Sequence, residues 1–124
     1  MKFNSHFTGM RLAALTGAIV VVAGAFGAHA LEDMLIEAGH VGTWKTASLY
    51  GLVHTVLALL WFAQAPQRRT PGWCWLAGVW LFSGSLHGLA LGGPSVLGPI
   101  TPLGGLLFIV GWFAAMGGLG NAEK

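Results

Sequence analysis

Of 124 residues only 8% are charged and 55% are hydrophobic, and the mean hydropathy is +0.71. So few charges cannot cover the surface of a water-soluble domain of this size. Six Lys and Arg against four Asp and Glu leave a net charge of +2, too small and too scattered an excess for a nucleic-acid surface.

Four apolar stretches of about twenty residues fill the chain, at 12–31, 46–64, 73–92 and 100–119, and each can cross a ~30 Å hydrocarbon core as a helix. The expected fold is an all-α membrane protein: a single integral domain over 1–124, with four transmembrane helices in a compact bundle. The short links leave no room for a separate soluble domain. Lone Cys74 excludes an intrachain disulfide and reads as a small apolar side chain facing lipid or a neighbouring helix.

The first span follows Lys2 and Arg11. With Ala28-His29-Ala30 at its end it also has the outline of a secretory signal, but its apolar run is longer than a signal core. It is therefore read as a span. The link after it carries Glu32, Asp33, Glu37 and Lys45, whereas the next link carries Arg68 and Arg69. Positive flanks stay in the cytoplasm, so both termini and the Arg68–Arg69 link are expected inside, with the acidic link and 93–99 outside. Glu123 and Lys124 cancel and say nothing about the C-terminus. Trp44 on one side, and Trp61, Trp73 and Trp75 on the other, fit interfacial aromatic belts.

Within the acidic link Leu31, Met34, Leu35 and Ala38 recur at helical spacing. This pattern suits either a short helix lying in the interface plane or an extension of the first span. Gly39 and Gly42 should break it, leaving Thr43 to cap the second span. Before the fourth span, Thr101-Pro102 suits a first helical turn that begins with proline.

Small residues mark where helices approach closely in lipid. Gly84, Gly88 and Gly92 form a repeated four-residue stripe in the third span, and Gly104, Gly111 and Gly118 a seven-residue seam in the fourth. Gly17 and Gly24, continued by Ala28, give the first span a similar stripe. These faces would pack the helices of one chain, or join it to a second copy or a larger membrane protein.

Chemistry-bearing side chains are few. Intramembrane polar groups are costly unless they face the bundle interior and find partners, so His29, Tyr50, His54, Ser83 and His87 are expected to form one polar cluster near the outer surface. Counting from the outer helix ends puts His29 about 3 Å deep, His87 about 8 Å and His54 about 12 Å. The leading reading is structural, with neutral imidazoles bonding to carbonyls, serines or Tyr50. The alternatives are a ligand site, either a haem held by two imidazoles or a copper or zinc ion, and a proton or small-solute path through titrating histidines. No carboxylate, cysteine or methionine completes a metal shell at that depth, and no Asp, Glu, Lys or Arg in the spans supports ion coupling. His6 and His40 read as solvated. No nucleophile triad, paired carboxylates or phosphate loop occurs, so catalysis is not expected.

Several local motifs occur together in order. They are Gly24-Ala25-Phe26-Gly27-Ala28-His29-Ala30-Leu31, Tyr50 with His54, Phe82-Ser83-Gly84-Ser85-Leu86, and Thr101-Pro102-Leu103-Gly104-Gly105. Over nearly the whole chain they resemble the YgdD/YwdK-like family of small four-helix bacterial inner-membrane proteins. The resemblance implies four spans and a bacterial plasma membrane but no activity, because that family is a domain of unknown function. His87 stands where the family more often has tyrosine, which leaves His29 and His54 as the pair to test.

Overall fold

The computed structural model describes residues 5–119, with side-chain surroundings for 7–117. Lys2, His6, Gly118, Glu123 and Lys124, used in the sequence reading, lie outside those surroundings. The fold is all-helical, 86% helix with no strand among the described residues. Its helices are α1 (Ser5–Ala28), α2 (Glu32–Ala38), α3 (Val41–Gln64), α4 (Thr70–Gly78), α5 (Gly84–Ala90) and α6 (Leu97–Leu119). Three of them, over Phe7–Ala28, Val41–Gln64 and Leu97–Gly117, are long and apolar enough to cross a membrane.

The stretch expected as the third span is built differently. Helices α4 and α5 are joined by a single π turn, Val79–Ser83, and Gly78, Val79, Ser83 and Gly84 all keep right-handed helical backbone. The result is one rod over 70–90, about 30 Å long. Single π turns of this kind are inserted where a helix must re-aim its side chains. Here the turn carries Phe82 onto α6 and Ser83 onto α3.

The array is open rather than a closed bundle. Helix α1 lies along α3, α3 along the rod, and the rod along α6. That order leaves α1 and α6 at opposite edges. Both outer pairs are antiparallel, and their register is set by rings seated on glycines. Between α1 and α3, Phe62 lies against Gly9 and Trp44 against Gly27. Between the rod and α6, Trp75 lies against Gly111, Phe108 against Gly78 and Phe82 against Gly104. One core cluster joins Ala13, Ala58, Phe62, Trp75, Val79 and Phe108; a second, under α2, joins Leu35, Trp44 and Ala90.

Several local expectations are corrected. Helix α1 stops at Ala28, three residues short of the expected end, and α2 is a separate short helix. Leu35 is its buried anchor, at 1% exposure, and Gly39 ends it in the left-handed conformation at φ 73°. Helix α3 then starts at Val41, so Gly42 and Thr43 lie inside its first turn and no side chain caps it. Helix α6 starts at Leu97, which puts Pro102 inside it rather than at its start. Pro99 takes the tolerated first-turn position there, and Thr101 Oγ1–H donates to the Leu97 carbonyl at 3.3 Å. Trp44 and Trp75 are core residues, 6% and 2% exposed, and do not belong to interfacial belts.

Of the expected glycine seams, Gly17 approaches Thr55 of α3, Gly88 meets Leu97, and Gly104 and Gly111 hold rings of the rod. Gly24, Gly84 and Gly92 meet nothing within 4 Å, so of the stripe Gly84, Gly88 and Gly92 only Gly88 makes a close contact within the described chain.

Candidate functional site

His54 faces the gap between α3 and α6. Trp112 Nε1–H donates to His54 Nε2 at 3.1 Å, and His54 Nδ1–H donates to the Tyr50 carbonyl at 2.8 Å. Because an indole N–H can only donate, Nε2 must be the acceptor and the proton sits on Nδ1. The ring stacks on Phe108 at 3.8 Å, while Tyr50 leans on Phe82 at 5.3 Å. These rings bridge two helices whose backbones stay apart.

His87 belongs to a different environment, on the other side of α3. Its Nε2 and Ser48 Oγ share a hydrogen bond at 3.2 Å, and its ring lies 4.3 Å from that of Trp44. Trp44 in turn donates to the Ala23 carbonyl at 3.0 Å. Ser83 Oγ–H donates to the Ala47 carbonyl at 2.7 Å, tying the rod to α3. The five residues expected to cluster therefore divide. Tyr50 and His54 join the α6 side, Ser83 and His87 the side facing α1, and His29 stands exposed in the turn after α1.

This division bears on the haem or metal alternative. The register of α1 on α3 sets His29 level with the start of α3, about 18 Å along the axis from His54. Both nitrogens of His54 are already hydrogen-bonded, so the lone pair a metal needs is occupied. Among the described residues no group of three or more His, Cys, Asp or Glu converges. The residues present do not fit a haem or a metal ion at His29 and His54.

The sequence reading missed Phe108 and Trp112, the actual partners of His54. Their four-residue spacing on one face of α6 was visible. What linked them to His54 was not, since it depends on which face of α6 the rod leaves uncovered.

Beside these rings runs a cleft of about 790 Å³ between α3 and α6. Trp75 lies at its base, Leu57 and Leu60 form one wall, Ile109 and Phe113 the other, and Arg68 stands at one end. A second hollow of about 500 Å³ continues it toward Tyr50 and Pro102, and the two share Ile109 and Trp112. A helical array with three apolar helices long enough to cross a membrane and an apolar cleft between two of them defines the class: an α-helical membrane protein.

The chain belongs to the family described as a protein of unknown function (DUF423), whose model matches residues 23–105. It is 41% identical to a UPF0382 membrane protein of Staphylococcus epidermidis over 82% of this chain and 85% of that one. It is 39% identical to the UPF0382 membrane protein YwdK of Bacillus subtilis, covering 82% and 86%. With a UPF0382 membrane protein of Haemophilus influenzae the identity is 40%, covering 90% of each chain. No solved structure matches.

Proposed function

We propose that this chain is a four-span accessory protein of the bacterial inner membrane, not an enzyme, that works by receiving an apolar group in its α3–α6 cleft. The rod over 70–90 completes the four as the third span in chain order, since its length matches the hydrocarbon core. Arg68 and Arg69 lie at one end of the array and Glu32, Asp33 and Glu37 at the other, which supports cytoplasmic termini by the positive-inside rule. The observation that carries the reading is a contrast. The polar side chains of His54, Ser83, His87 and Trp112 are hydrogen-bonded to other side chains or to carbonyls, while the cleft is long, apolar and uncovered.

The test is a photo-crosslinking residue placed at Leu60, in the cleft, and separately at Leu15, on the far edge of α1. A discrete adduct from Leu60 that Leu15 does not give supports the reading. Indistinguishable adducts from both positions overturn it.

A further inference from the structure

Resting on the cleft-binding reading, we infer that the occupant of the α3–α6 cleft is an anionic phospholipid, with one acyl chain lying in the cleft and its phosphate on Arg68. The dimensions suit a chain from one leaflet. From Leu57 to Gln64 the α3 wall runs about 10 Å, within the ~15 Å depth of half a hydrocarbon core, and Arg68 follows at its end. If a methylene takes about the room of a water, roughly 30 Å³, a sixteen-carbon chain needs about 480 Å³. That fits within the 790 Å³ present.

The charge at the mouth selects the headgroup. Arg68 lines the cleft itself, and Arg69 follows it, its Nε–H held by the Pro66 carbonyl. The described carboxylates, Glu32, Asp33 and Glu37, all lie in α2 at the opposite end, so none competes for the Arg68 guanidinium. Its backbone is fixed in place, because half-buried Trp61 donates its indole N–H to the Arg68 carbonyl. A guanidinium carried on an anchored backbone at the end of an apolar slot matches a phosphate attached to an acyl chain.

The experiment is native mass spectrometry of the detergent-released full chain with equal amounts of phosphatidylglycerol and phosphatidylcholine bearing the same acyl chains. The expected result is phosphatidylglycerol adducts in about fivefold excess, the effect of one surface arginine. Arg68→Gln, on an exposed link, brings the two lipids to parity, and Ile109→Trp, filling the cleft from an exposed wall position, abolishes both adducts. No preference in the unaltered chain, or a preference that survives Arg68→Gln, overturns the lipid assignment. In that event, adducts still lost in Ile109→Trp leave the cleft reading standing; adducts indifferent to Ile109→Trp overturn that as well. A dimer in place of lipid adducts, broken by Ile109→Trp, assigns the cleft to a second copy and overturns the lipid.

Discussion

Breaking the Trp112–His54 hydrogen bond should reveal a coupling between α3 and α6 carried by side chains. His54→Phe keeps a flat ring on Phe108, whose centroid lies 3.8 Å away, but leaves the Trp112 indole N–H without its acceptor. An unmade bond of this kind costs about 1–3 kcal/mol, the lower end applying because Trp112 is 50% exposed. Trp112→Phe removes the donor and leaves His54 Nε2 unpaired, at similar cost. In the double variant neither orphan remains, so its loss should fall short of the sum of the single losses by about 0.6 kcal/mol or more, up to ~1.7, the mean and the maximum for bonds between membrane helices. The assay is reversible unfolding of all four forms in mixed micelles, read by tryptophan fluorescence and circular dichroism. Additivity within about 0.5 kcal/mol would refute the reasoning, since it would mean the two side chains do not act as a pair.

Three further outcomes follow from the packing. A Cβ on Gly104 would lie 2.3 Å from the Phe82 backbone nitrogen, whereas one on Gly84 meets nothing, so in the same unfolding assay Gly104→Ala should lose about 3 kcal/mol and Gly84→Ala gain up to ~1 kcal/mol. Ser83→Ala removes the buried donor to the Ala47 carbonyl and should cost about 1 kcal/mol, but Thr55→Val, which deletes a buried hydroxyl without a partner, should be neutral or stabilising. In a Cys74→Ala background, a membrane-impermeant thiol reagent added to spheroplasts should label Ser95→Cys and spare Gln67→Cys; the reverse pattern would invert the orientation.

Much of the architecture was legible because length and hydropathy alone decide whether a helix can live in lipid. The termini of helices were less so. Thr43 and Pro102 look like start signals, yet in α3 and α6 the helix begins before them, since an unpaired backbone group is costly near lipid and helical bonding extends as far as the chain allows. The polar cluster was half legible. The i, i+4 spacing of Tyr50 and His54 placed them together correctly, and their rings do stack. Which neighbour each histidine meets depends on how the helices are rotated about their axes, and apolar helices carry almost no amphipathic signal to fix that rotation. The tryptophans misled for the same reason. An indole near a helix end suits an interface, but Trp44 and Trp75 turn inward because Gly27 and Gly111 leave room for them on the facing helix.

That same distribution of small residues explains why the cleft exists at all. In lipid no hydrophobic force draws helices together, so they touch closely only where small side chains let them. The α1–α3 contact has Gly9 and Gly27, and the rod–α6 contact has Gly78, Gly104 and Gly111. The facing walls of α3 and α6 carry Leu57, Leu60, Ile109, Phe113 and Met116 in their place. Bulk on both walls props the helices apart, and only the rings around His54 reach across. Closing the gap would bring no gain in apolar burial, since lipid is as apolar as leucine, and it would force these side chains into one another. The cleft is thus a stable feature of the packing, and in a bilayer it fills with whatever apolar chain best suits its length and the charge at its mouth.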